Sequence, residues 1–359
     1  MIIAGSFHPI RWTLSISVGL PLGLLVLAAL CGLAHRSDLA RIFLRGSRYV
    51  VLLDLVLAAA VATWGFVYER SSSARDRSLR PAPGKMVDLG GYRLHLYCTG
   101  EGGPTVVFDH GLSSSYLAWH SVQPEVAKFT RVCSYDRAGN GWSDRSSKPR
   151  TTKIMAEELD MLLANGGEAP PFVMVGHSAG ALDVVSYARE YPGKVAGLVL
   201  VDGSHPNQKF SFSFSQKLSV RLLQWTAPFG LPRWRKWNEE GIEELGPLKR
   251  GFAYDPRIFK TEYDERSALA NPERENRKLD PVGDLPVVVI SRDPSSNRES
   301  RRVEWEWARL QQDLLRLSPN STQIIATGSG HAVNLERPDI VVHAIHDVVA
   351  QVRSRQVSK

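Results

Sequence analysis

Cysteine is scarce in this 359-residue chain, with only Cys31, Cys98 and Cys133 present. They form neither a disulfide framework nor a paired Cys-x-x-Cys zinc signature. Cys98 and Cys133 fall in strand-like segments, where a thiol packs as a small buried hydrophobe. Internal repeats and long low-complexity tracts are also missing, and with 43% hydrophobic residues the chain is too apolar for wholesale disorder. The third deficiency is basic charge in the body of the chain. The net charge is +7, but of 44 basic and 37 acidic residues, 10 and 4 lie within positions 1–85, which leaves 34 and 33 for the rest. A nearly neutral body gives a nucleic-acid partner no electrostatic footprint.

The N-terminal segment instead lacks charge in two long runs. From Trp12 to Ala34 no side chain is charged, and from Tyr49 to Tyr68 the single acid is Asp54, near the start. About 20 such residues cross a ~30 Å hydrocarbon layer as a helix. Trp12, Tyr49, Trp64 and Tyr68 sit towards the run ends, as an interfacial aromatic belt requires. Residues 1–70 therefore read as a membrane hairpin with spans at about 12–34 and 49–68. The first run is too long for a cleaved signal peptide and lacks a small-x-small cleavage site, and Leu30 before Cys31 does not suit a lipoprotein signal. The loop His35–Arg48 carries four Arg against Arg11 before the first span. With Arg70, Arg75, Arg77 and Arg80 on the same side as Arg11, the charge rule leaves the side open; only where the first span dominates does it put the loop in the cytoplasm and the soluble domain on the extracytoplasmic side. Residues 71–85, polar with Pro and Gly, read as a linker.

From Met86 onward, short β-rich runs alternate with helical stretches, the signature of an α/β sheet. Expected strands are Met86–Leu89, Tyr92–Cys98, Thr105–Phe108, Arg131–Tyr135, Phe172–Val175, Gly197–Val201, Val287–Ile290 and Gln323–Ala326; expected helices are Ile154–Ala164, Ala179–Arg189, Glu299–Leu317 and Pro338–Val352. Several strands are continuous apolar runs, which suits burial on both faces. After the sixth strand comes an insertion with no strand alternation, holding Trp225, Trp234 and Trp237. It reads as a helical cap over 205–281, placed between core segments 86–204 and 282–359. Its tryptophans suit either the lining of an acyl pocket or the packing of the cap.

The chemistry centres on Gly176-His177-Ser178-Ala179-Gly180, which follows the strand PFVMV and precedes the helix ALDVVSYARE. A serine on so sharp a strand-to-helix turn needs glycine-sized neighbours two positions away on either side, and its hydroxyl then stands above the sheet. A serine hydroxyl is a weak nucleophile at neutral pH, so a base must take its proton. Two of the ten histidines, His177 and His331, have a preceding glycine, an upstream strand and a downstream helix; His177 belongs to the turn itself, which leaves His331 as the candidate base. An acid must then hold the imidazole tautomer. Two residues qualify: Asp202, ending the sixth strand, and Asp293, after the seventh. His177 reads as packing beside the turn.

These motifs resemble the α/β-hydrolase family. Asp109-His110-Gly111-Leu112 looks like its HG-x oxyanion loop, Tyr135 to Asp144 like its D-R-x-G-x-G-x-S segment, and Ser329-Gly330-His331 with Glu336-Arg337-Pro338 like its terminal pattern. The resemblance spans roughly Met86 to Val352. It implies an eight-stranded, mostly parallel sheet flanked by helices, with the cap after strand 6. It also implies Ser178 as nucleophile, His331 as base, and backbone amides of Leu112 and Ala179 as the oxyanion hole, without cofactor or metal. For the acid, Asp202 matches a variant position used by some lipases of the family, whereas Asp293 lies in the usual region without the usual glycine. Asp136 and Arg137 are expected to fix a loop near the site through ion pairs or hydrogen bonds. The expected activity is hydrolysis of a carboxylic ester or lipid-like acyl substrate through an acyl-enzyme, beside a lipid bilayer. A peptidase or amidase and a carbon–carbon bond hydrolase would use the same residues. A non-catalytic, membrane-tethered binding or sensory protein would keep the fold without turnover.

Overall fold

Alternation of side chains along each strand divides the soluble core into two apolar layers. In the computed structural model, which describes residues 38–79, 81–210, 213–236, 252–271, 279–296 and 300–357, Val106, Phe108, Val173, Val175, Val199 and Val201 face one side of the sheet. Val107, Met174, Leu198 and Leu200 face the other. Both faces are dry, which explains why these strands read as unbroken Val/Ile/Leu runs.

The elements in chain order are α1 (Asp38–Leu79), β1 (Lys85–Asp88), β2 (Arg93–Thr99), β3 (Thr105–Asp109), β4 (Val132–Tyr135), α2 (Thr152–Asn165), β5 (Phe172–His177), α3 (Gly180–Glu190) and β6 (Val195–Val201). After them come α4 (Phe214–Thr226), α5 (Pro256–Ala270), β7 (Val287–Arg292), α6 (Arg301–Asp313), β8 (Ser321–Ala326) and α7 (Pro338–Val357), with single turns between. All eight expected strands form. They build one sheet in the order β1-β2-β4-β3-β5-β6-β7-β8. The β1–β2 and β2–β4 pairs are antiparallel and the remaining pairs parallel. Parallel neighbours need crossover helices. On one face α2 and α3 supply them, α2 burying Met155, Ala156, Leu159, Leu162 and Leu163 at helical spacing behind its Thr151 N-cap. On the other, α7 opens on Pro338 and packs Val341, Ala344, Ile345 and Val348 against the sheet. The parallel strands all point their C-terminal ends towards one edge, and the loops bearing Ser178, Asp202 and His331 leave from there.

Three sequence expectations are corrected. Cys98 and Cys133 are not separate buried thiols but a disulfide; they sit directly opposite each other in the β2–β4 ladder, a pairing that only the strand register reveals. The expected loop His35–Arg48 is helical from Asp38, and the expected linker 71–85 is helical to Leu79. No proline interrupts residues 38–79, and prolines arrive only at Pro81 and Pro83. The polar residues of the last turns are also occupied: Arg233 of the cap binds Glu69 at 2.9 Å and Asp76 at 2.7 Å, and Arg77 pairs with Asp255. Among the described residues, one helical stretch, Gly46–Leu79, is long and apolar enough to cross a membrane. The expected first span, Trp12–Ala34, lies outside the described residues, as does Trp237. In the cap, Trp225 and Trp234 are 59% and 68% exposed, so they neither pack its interior nor line a buried pocket.

Candidate active site

Ser178 sits where β5 turns into α3, with φ 53°. A left-handed backbone at a non-glycine residue costs roughly 1–3 kcal/mol and persists only where the surroundings enforce it. They do so closely. A Cβ at Gly176 would stand 2.5 Å from the Gly180 carbonyl oxygen, and one at Gly180 2.7 Å from the carbonyl oxygens of Asp109 and His110. Both glycines are therefore steric requirements of the turn. The Ser178 amide donates to Val201 O at 3.1 Å, and the Ser204 amide donates to Ser178 O at 2.8 Å, which ties the turn to the end of β6.

The same β6 end carries Asp202, fully buried and also left-handed, with φ 41°. His331, on the loop after β8, bridges the two: its Nε2 is 3.0 Å from Ser178 Oγ and its Nδ1 2.5 Å from Asp202 Oδ2. Asp293 is not part of this arrangement. Its carboxylate accepts from the Ser295 amide and hydroxyl at 2.8 and 2.7 Å, and from the Gly328 amide at 2.9 Å. It thus secures the turn that leads to His331.

Electrostatics favour a neutral imidazole beside an ionised acid. Burial lowers the His331 pKa below 6.5, with Arg292 adding to the effect and Asp202 opposing it. Burial by itself would raise Asp202, but hydrogen bonding to His331, the charge of Arg292 and a bond from Trp307 hold it below the ordinary carboxylate value. The Trp307 indole N–H reaches Asp202 Oδ1 at 2.7 Å, and the Arg292 amide reaches the same oxygen at 3.1 Å. The Arg292 guanidinium lies 4.4 Å from the Trp307 ring and is neutralised by Glu304 at 2.9 Å. Neither Trp307 nor Arg292 is signalled by the sequence, because helix α6 carries no motif and Arg292 gains meaning only from the β6–β7 pairing. His177 does more than pack: its Nε2 bonds the His331 carbonyl at 3.0 Å. Burial, reinforced by His331, lowers its pKa to about 3, so it is a neutral donor there.

The loop after β3, the expected oxyanion loop, lies against the serine, since a Cβ at Gly111 would be 3.2 Å from Ser178 Cβ. Arg137 grips this loop. Its guanidinium donates to the carbonyls of His110 and Gly111, the latter at 3.0 Å, and pairs with Asp109 and with Glu265 of α5 at 3.1 Å. Asp136 accepts from the amides of Tyr116 and Trp142 at 2.7 and 3.0 Å and pairs with buried His95 at 2.8 Å. Burial drives Asp183, which faces the same guanidinium, well above its ordinary pKa. Leu112 and Phe210 pack with Ala179, Leu182 and Leu269 in a small apolar cluster at the elbow. Phe210 and Leu269 come from the cap, so the cap supplies apolar wall beside the serine. Metal donors converge elsewhere: Cys98, Cys133 and Glu168 approach one another, but both sulfurs are consumed in the disulfide.

Comparison with known proteins agrees with this architecture. An AB hydrolase superfamily protein of Gibberella zeae is 27% identical over 283 residues, covering 70% of this chain and 87% of that protein. An esterase of Thermogutta terrifontis has a TM-score of 0.56 at 22% identity, covering 75% of this chain and 98% of that one. The epoxide hydrolase CorEH gives 0.54 at 20% identity, with coverage of 75% and 98%. At such identities the solved structures share the fold. The sequence model described as the alpha/beta hydrolase family matches residues 106–344, a stretch that includes the oxyanion loop, the elbow, Asp202 and His331, and the chain belongs to that family.

Proposed function

We propose that the protein is a membrane-anchored serine hydrolase that cleaves carboxylic esters through an acyl-enzyme. The carrying observation is the unbroken relay from Ser178 Oγ to His331 to Asp202, at 3.0 and 2.5 Å. In this reading Asp202 holds the imidazole with Nε2 free to accept, and His331 takes the Ser178 proton as Oγ attacks the substrate carbonyl. The developing oxyanion is received by the backbone amides of Leu112 and Ala179. The imidazolium then protonates the leaving alcohol. Water then attacks the acyl carbon as His331 takes its proton, and the imidazolium returns that proton to Ser178 Oγ as the Oγ–acyl bond breaks and the carboxylic acid leaves. No residue in this sequence of steps calls for a cofactor or metal.

A serine in place of an aspartate at the elbow separates this chemistry from that of epoxide hydrolases, whose fold it shares. The apolar wall of Leu112, Leu182, Phe210 and Leu269 suits a hydrocarbon acyl chain better than a charged or peptide substrate. The apolar stretch Gly46–Leu79 supports anchoring to a lipid bilayer, and the Cys98–Cys133 disulfide supports an extracytoplasmic catalytic domain, where thiols oxidise and stay oxidised. A fluorophosphonate probe applied to the full-length protein tests the activity. Labelling is expected on Ser178 and lost in Ser178→Ala; an intact protein that stays unlabelled would leave a binding or sensory role instead.

A further inference from the structure

Helix α4 is amphipathic in the wrong sense for a soluble cap. Phe214, Leu218 and Trp225 recur at spacings of four and seven residues, which places them on one face. That face points outward: Phe214 is 82% exposed, Leu218 43% and Trp225 59%, whereas Val220 is the helix's buried residue. Exposed Phe229 and Trp234 extend the apolar surface through the turns that follow. Exposed Lys217, Arg221, Arg235 and Lys236 lie among these side chains. Exposed apolar side chains that recur on one helix face mark an interaction site, and aromatic residues interleaved with cations are the composition of helices that lie in a membrane interface.

The position of α1 says which partner covers it. Gly65 of α1 lies against the backbone of Phe229, where a Cβ would come within 2.5 Å of the carbonyl oxygen, and Gly230 lies against Tyr68. Arg233 then locks this contact through Glu69, Asp76 and Ser73. The cap is thus fixed to α1 within about one turn of the place where its apolar run ends at Glu69. The apolar residues of α1 just before that point, Val61, Trp64 and Val67, are as exposed as the cap's aromatics. An α1 that crosses a bilayer carries Trp225, Phe229 and Trp234 down to its headgroup region.

We infer that the outward face of the cap, from Phe214 to Trp234, is a bilayer-docking surface that holds the cap in the interface of the same membrane α1 crosses. This inference rests on the anchoring reading given above. Its cations match anionic headgroups, and its aromatic rings match the interfacial depth that Trp and Tyr prefer.

The test uses the full-length chain with Cys31→Ser and one added cysteine, Leu218→Cys or Trp225→Cys, labelled with a polarity-sensitive dye. The labelled proteins are reconstituted in vesicles of phosphatidylcholine and phosphatidylserine. Gln356→Cys is the control: it is exposed and adjoins Arg353, which bonds the carbonyls of Gly103 and Phe129 at the far end of the sheet. The expected result is blue-shifted emission at both cap positions, quenched several-fold more than the control by lipids spin-labelled at the headgroup. Water-like emission at both cap positions in protein that floats with vesicles overturns the inference and leaves anchoring intact. A chain that fails to float overturns both. Blue-shifted emission without lipid quenching assigns the face to a second copy of the chain and also overturns it.

Discussion

Asp202 and Asp293 both follow the C-terminal ends of neighbouring parallel strands, and a few residues of loop separate their roles. Asp202 receives His331, Trp307 and Arg292, and Asp293 receives the turn at Gly328. In an Asp202→Asn variant the retained oxygen stays with Trp307 and Arg292 and an amide N–H faces His331 Nδ1, which favours the wrong tautomer, so turnover of a p-nitrophenyl ester is expected to fall by about 10³-fold or more. Asp293→Asn keeps one acceptor oxygen and is expected to stay within about tenfold. The reverse ranking would transfer the acid role to Asp293. The pH profile follows from the same geometry. A base must be neutral to accept a proton, and burial lowers the His331 pKa, so the acid limb of kcat/KM is expected below pH 6.5. Arg292 contributes to that depression. Arg292→Gln should therefore move the limb upward, and a limb that stays in place would show that the charge does not reach the imidazole.

At the scale of elements, α5 of the cap reaches the expected oxyanion loop through the Glu265–Arg137 ion pair and through Leu269, which packs in one cluster with Leu112. Glu265 holds Arg137, and Arg137 holds the carbonyls on the two residues before Leu112. Arg137 is therefore a positioning residue, and cap placement becomes a determinant of oxyanion geometry. Glu265→Gln preserves size and one acceptor but removes the charge. It is expected to lower kcat about tenfold, equivalent to ~1.4 kcal/mol, with KM little changed. Affinity for a tetrahedral boronate analogue should fall by a similar factor, which loss of stability alone would not produce. The Arg137 segment was legible in the sequence as a motif that fixes a loop. Its attachment to the cap was not, because Glu265 lies 128 residues away in a stretch without a motif. The strands were legible because β-branched runs buried on both faces have no other comfortable home. The Cys98–Cys133 bridge was not, since it depends on the register of β2 against β4 rather than on cysteine spacing. In the sequence the cap tryptophans suit either pocket lining or cap packing, and the exposure of Trp225 and Trp234 was not legible, because composition reports that a segment is apolar and not which way its side chains turn.

For the whole molecule, the sheet gathers three residues more than 150 positions apart at their extremes onto one edge, and α1 fixes the cap that overhangs them. The order of the segments along the chain gave the fold class. The joining of α1 to the cap came from long-range pairs such as Arg233 with Glu69, which no local pattern encodes. The central claim is that Ser178 becomes acylated. It is tested most directly by mixing full-length protein with a p-nitrophenyl ester of a short fatty acid and quenching in acid within the first turnover. The account predicts a burst of one nitrophenol per protein and an intact mass raised by one acyl group, with the added mass on the peptide containing Ser178. Steady hydrolysis with no burst and no adduct, or an adduct on another residue, would contradict it.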